Sequence, residues 1–474
     1  MNHYIGPKGY SILKSNLTPQ QQQQIKNDLT AKPQLQYSIG NEVKSFPVYR
    51  ESTMKLYVPR FYGVQQFGPP ENYTIGDGDS IQLDFKGSLR DFQYTIVDSY
   101  LQHAKQHDCA LLDIPCGFGK TVCALNIISR LSKKTLVIVH KDFLLQQWKE
   151  RIQEFLPDAR IGKIQGPVVD IDDKDIVIGM LQTLSMKVLD PCIFESFGLT
   201  VVDETHHMGA EVFSNALFSI VTKHMLGLSA TMKRKDGLTK IFKLFLGEVA
   251  YAMKRNTDDD QVTIQQVFYE NQDEEFTEEI LNYRGQTQYS AMIKKLCEFN
   301  PRSEAILRIL KDLCDDAKNK QIMILAHNKS LLEYLYKAIE HRQFDTVGYY
   351  VGGMKQTELK FSESKRIILG TYAMAEEALD IKTLSCLVLA TPRSDVTQAV
   401  GRILRIKHEQ TIVVDIVDQH KTFKNQSKKR ESFYKRNRYT IIQCTYQHYP
   451  TFTPYNYTTR KTPAKKEYKC LIEL

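Results

Sequence analysis

Apolar residues along the first half of the chain gather into short runs, from Ala110 to Ile114, Thr135 to Val139, Asp175 to Gly179 and Thr200 to Val202. A second series follows, from Ile322 to Ala326, Arg366 to Gly370, Cys386 to Ala390 and Ile412 to Ile416. Between the runs lie stretches with helical apolar spacing, such as Val122 to Leu131. Short, continuously apolar strands alternating with amphipathic helices predict parallel sheets covered on both faces. The fold class is therefore α/β, with two parallel-sheet domains in tandem, at 88–250 and 251–443. The charged stretch from Lys254 to Asp260 marks the linker between them. An accessory region fills 1–87 and a basic tail 444–474. In the accessory region, Thr18 followed by Pro19 reads as a helix start, which places the glutamines from Gln20 to Gln24 on an exposed helix. No apolar run approaches the roughly 20 residues that cross a bilayer, so no membrane partner is expected.

The chemistry sits where strands end. Pro115-Cys116-Gly117-Phe118-Gly119-Lys120-Thr121 joins an apolar strand to a helix, an order in which backbone N–H groups and the helix start cradle phosphates. Lys120 would reach the β- and γ-phosphates, and Thr121 would offer its hydroxyl to a bridging magnesium ion. The full phosphate-loop pattern asks for glycine where Ile114 stands. A later strand ends in Asp203-Glu204, suited to holding magnesium (Asp203) and to orienting and deprotonating a water (Glu204). A third strand runs into Ser229-Ala230-Thr231, whose hydroxyls would bond His206 or the acids and pass on the nucleotide state. His206 and His207 lack metal-ligand company and are read as polar links, not zinc ligands. Far downstream, Gln398, Arg402 and Arg405 share a helical face, and two arginines so placed would stabilise charge developing on a γ-phosphate. Trp148, the single tryptophan, is read as core.

Gln93, PCGFGKT, DETH, SAT and QAVGRILR, in this order, resemble the motif series of superfamily 2 helicases and translocases. The similarity is strongest to the branch containing the XPB repair and transcription helicase and the poxviral transcript-release helicase, in which Cys116 also fits. TLVIVHKDFLLQQW (135–148) resembles the first nucleic-acid-contacting block, and LGTYAMAEEALD (369–380) a later one. The resemblance implies two RecA-like domains with ATP in the cleft between them, and an adenine-reading role for Gln93. It adds Asp380 to the nucleotide-binding set. Arg234-Lys235-Asp236 departs from the branch, where an acid holds the middle position. The implied activity is ATP-dependent, magnesium-requiring movement along nucleic acid, with DNA placed ahead of RNA as the track and transcription or replication machinery as partners. An RNA helicase, or a helicase-fold interaction protein without chemistry, are the alternatives; the intact Lys120, Asp203, Glu204, Arg402 and Arg405 speak against the second.

Charge adds one feature. The chain carries +8, yet 421–474 alone holds thirteen Lys or Arg against three Glu, so the remainder is slightly acidic. Tyrosines interleaved there, such as Tyr439, Tyr446 and Tyr449, would stack on bases while the cations grip phosphates. A solvated tail fits the same composition. Nine cysteines without a Cys-x-x-Cys pair predict reduced thiols and an intracellular, reducing compartment.

Overall fold

The computed structural model describes residues 3–32, 45–115, 117–187, 189–204, 210–230, 239–253, 262–316, 321–377, 381, 383–403 and 410–455. It divides into two compact units, Met1–Arg255 and Asn256–Leu474.

The first unit is built on an eight-stranded sheet. Its strands run in the order Val168–Asp170, Ile161–Gln165, Ile176–Met180, Thr135–Val139, Leu199–Val202, His224–Ser229, Cys109–Asp113 and Val249–Ala252. Every pairing is parallel except that of Val168–Asp170 with Ile161–Gln165. Parallel neighbours need crossovers, and the helices Lys120–Leu131 and Asp142–Phe155 supply two of them. Strand side chains alternate between two cores. Leu136 and Ile138 face one, while Val137 and Val139 face the other together with Ala110, Leu112, Val201 and Leu228. The strands therefore read as continuous apolar runs because both faces are covered.

Residues 3–83 do not form a separate body. Their antiparallel sheet, centred on His3–Gly6, Gly9–Leu13 and Lys55–Val58, shares a core with the first of those faces, where Tyr10, Leu56 and Tyr62 join Phe218, Phe245 and Leu246. Buried Arg60 fastens the join, donating to the Thr222 and Lys223 carbonyls at 3.1 and 2.9 Å and to Cys109 Sγ at 2.8 Å. The glutamines lie on the helix Pro19–Asp28, whose Thr18 side chain accepts from Gln21 N–H while Gln21 accepts from Thr18 N–H.

The second unit repeats the plan, with strands in the order Val347–Tyr350, Ile367–Thr371, Ile322–Ala326, Cys386–Leu389, Thr411–Asp418, Val262–Tyr269, Thr440–Thr445 and Thr453–Pro454. Only the last pairing is antiparallel. The sheet thus continues past residue 443, and Tyr439 and Tyr449 are buried in its core, so those two do not form a base-stacking surface. The basic run begins as the helix Lys421–Arg436, with Phe423, Ser427, Arg430 and Tyr434 turned inward. Two buried arginines brace this unit. Arg302 grips both oxygens of Asp418 at 2.5 and 2.9 Å, and Arg430 grips Asp415, which also accepts from Tyr434 Oη at 3.2 Å.

All seven described cysteines are free thiols, and six are buried. Among the described residues no helix is long and apolar enough to cross a membrane.

Candidate functional site

The strand Cys109–Asp113 delivers the chain into the glycine-rich turn, and backbone conformation decides which residues the turn accepts. Gly117 and Gly119 have φ of +90° and +79°, a region that costs side-chain-bearing residues. Space adds a second reason at Gly119, where a Cβ would lie 2.4 Å from Gln93 Nε2. Lys120 opens the helix Lys120–Leu131 and Thr121 follows it, half-buried, in the first turn. Phe118 meets Phe92 edge to face at 5.8 Å. Pro115 is the last described residue of the strand exit; Cys116 lies outside the described residues.

Gln93, buried, works on both of its neighbours. Its Oε1 accepts from Arg90 N–H at 2.9 Å at the start of the helix Asp91–His107, and its Nε2 donates to the Phe118 carbonyl at 3.0 Å. The glutamine expected to read adenine thus also holds the phosphate turn in shape.

Across the sheet, Asp203 and Glu204 follow the strand Leu199–Val202. Asp203 N–H donates to the Ile138 carbonyl at 3.1 Å, which fixes the backbone against the neighbouring strand. Glu204 has a left-handed φ of +50°, and its N–H turns back to Asp203 Oδ1 at 2.9 Å. Lys120 Nζ donates to Glu204 Oε1 at 2.7 Å in a pair whose side chains are only 9 and 13 % exposed. The residue that sequence reasoning filed as core is also here: Trp148 is buried, but its indole N–H donates to Asp203 Oδ2 at 2.8 Å. A tryptophan at helical apolar spacing carries no sign of which residue, 55 positions on, its N–H will meet. The only available hint was that a buried indole needs an acceptor.

Burial pushes the Asp203 carboxyl up to about 6, and the adjoining Glu204 charge pushes the same way; Lys120 and the two N–H donors oppose them. Asp113, at the strand end before the turn, is also raised by burial, with Lys120 again opposing. The site therefore gathers negative charge that water does not screen, around one ammonium.

These groups suit a hard divalent cation. The donors are carboxylate and hydroxyl oxygens, from Asp203 and Thr121, and among the described residues no group of three or more His, Cys, Asp or Glu could hold an ion alone.

Of the coupling residues, Ser229 is buried at the end of His224–Ser229, where its carbonyl accepts from Ile114 N–H at 2.8 Å. Ala230 follows, half-buried; His206 and Thr231 lie outside the described residues. In the second unit Gln398 and Arg402 stand on the helix Thr397–Ile403, while Asp380 and Arg405 lie outside the described residues.

Residues 86–234 match the family described as "Type III restriction enzyme, res subunit". Over its length the chain is 34% identical to the "Putative ATP-dependent RNA helicase L396" of Acanthamoeba polyphaga mimivirus, covering 91% of this chain and 85% of that one. The chain belongs to the superfamily 2 helicases. A second relative of this helicase, the "Putative ATP-dependent RNA helicase QP509L" of African swine fever virus, is 29% identical over 70% of each chain. Among solved structures, the fragment of a "putative HsdR subunit of a type I restriction enzyme" from Vibrio vulnificus YJ016 aligns with a TM-score of 0.52 at 14% identity. It covers 76% of this helicase and 70% of that chain, and supports the fold of tandem RecA-like domains. ATP-dependent helicase activity follows from membership of the family.

Proposed function

We propose that this helicase is a magnesium-dependent motor whose nucleotide site is the cluster Lys120, Thr121, Asp203 and Glu204, and whose track is DNA. The carrying observation is the 2.7 Å pair between Lys120 and Glu204 beside the buried Asp203. A buried lysine held by a carboxylate is a phosphate-binding group with a substitute partner. When the γ-phosphate arrives, Lys120 exchanges the carboxylate for phosphate oxygens, and Glu204 is released to orient and deprotonate the attacking water. Magnesium, when bound, neutralises charge on the β- and γ-phosphates, and Asp203 and Thr121 are the residues that would hold it. Gln93 keeps the turn shaped around the phosphates through the Phe118 carbonyl.

The DNA track rests on the XPB-like motif series. A second reading, an RNA track, is favoured by the names of the mimivirus and African swine fever virus relatives. The deciding experiment is ATP hydrolysis by the purified chain and by Glu204→Gln, with magnesium, and with no nucleic acid, single-stranded DNA, duplex DNA or RNA. Stimulation chiefly by DNA that Glu204→Gln abolishes is the expected result. Stimulation by RNA alone selects the second reading, and hydrolysis that survives in Glu204→Gln removes the assignment of the base.

A further inference from the structure

The hydrogen bond between Trp148 and Asp203 links two blocks that the motif reading treats as separate. Trp148 stands two turns inside the helix Asp142–Phe155, which leaves the strand Thr135–Val139 through His140 and Lys141. That strand also supplies the Ile138 carbonyl that accepts Asp203 N–H. One strand-helix segment therefore holds Asp203 twice, by its backbone and by its carboxylate. Each carboxylate oxygen has two lone pairs. Trp148 occupies one on Oδ2, Glu204 N–H occupies one on Oδ1, and the two donors fix the plane of the group.

We propose that Trp148 is a positioning residue for the cation site: its indole N–H fixes the Asp203 carboxylate so that the remaining lone pairs face a divalent cation. A purely space-filling aromatic would be served equally by phenylalanine, which offers no donor. Groups that orient a metal-bearing carboxylate change metal affinity without touching the metal. The inference rests on Asp203 being the cation-holding carboxylate, and the test separates the two.

The full chain, Trp148→Phe and Asp203→Asn are titrated with a fluorescent ATP analogue in the presence and absence of magnesium. Trp148→Phe is expected to need about tenfold more magnesium for half-maximal nucleotide binding, with magnesium-free binding close to that of the parent and the thermal midpoint lowered by the smaller ring. An unchanged magnesium requirement in Trp148→Phe overturns the positioning role, provided Asp203→Asn raises it. If Asp203→Asn also leaves the requirement unchanged, the cation-site reading itself fails. A second readout needs no variant at position 148. Trp148 is the single tryptophan, so emission excited beyond the tyrosine band reports the surroundings of this one indole. The emission is expected to shift when magnesium and ADP are added together but not with either alone, and to lose that response in Asp203→Asn. Emission indifferent to magnesium and ADP overturns the proposal even if Trp148→Phe does not fold.

Discussion

Both units bury ions, and they do so to opposite ends. In the second unit, Arg302 and Arg430 each occupy both oxygens of their carboxylates, and Asp415 takes Tyr434 as well. These are closed braces between helices and the strand Thr411–Asp418. In the first unit, the ammonium of Lys120 bonds Glu204 and is felt by both Asp203 and Asp113. Burial, with the Glu204 charge acting the same way, raises the Asp203 carboxyl, and Glu204 sits at a left-handed φ. A brace balances its charges; a site keeps an imbalance that a ligand relieves. That contrast separates architecture from chemistry more reliably than burial alone, because both kinds of pair are almost free of solvent.

The contrast breaks most visibly at Glu204. Glu204→Gln should lower ATP hydrolysis about a thousandfold, within the range of a lost general base. Activity that survives in this variant would reverse the assignment. The mirror experiment is Arg302→Met, which strands Asp418 in the core. It should cost about 3–5 kcal/mol in urea unfolding, and pairing it with Asp418→Leu should recover most of that loss. An unmoved urea midpoint would mean that the brace is ornamental.

Acidity sharpens the comparison further. Because the folded Asp203 carboxyl sits near 6, above its ordinary value, its stabilising contribution is complete below about pH 4 and is lost as pH rises through about 6. With chelator present, Asp203→Asn should therefore match the parent at acid pH and exceed it once pH has risen past about 6. Parallel stability curves would show that the imbalance is not felt. The smallest effect is expected at Gly119→Ala. A Cβ at φ +79° and 2.4 Å from Gln93 Nε2 strains the turn by ~1 kcal/mol and should weaken nucleotide binding several-fold by calorimetry. Unchanged affinity would mean that Gln93 yields without consequence.

Much of this was legible in the residues. The strands at Thr135–Val139 and Ile322–Ala326 fall where the apolar runs placed them, and most others within a residue or two, because burial on both faces leaves a continuous apolar signature. Lys120, Asp203 and Glu204 were legible because their chemistry needs fixed spacing from strand ends. The braces were not. Arg302 and Arg430 lie in helical stretches with other charged residues, where a buried arginine and a solvated one look alike until the fold supplies Asp418 and Asp415. Nor was Trp148, whose meeting with Asp203 depends on two adjacent parallel strands. The accessory region escaped for another reason: its strands are two to five residues long, so alternation has little length in which to declare itself.

Arg60 gives that region a mechanical meaning. It grips Cys109, the first residue of a strand whose last residue, Asp113, leads into the phosphate turn. An extended strand is stiff along its axis, and five residues span about 17 Å. Arg60 therefore ties the accessory sheet to the far end of a short rod that ends at the nucleotide turn, in addition to the core the two share.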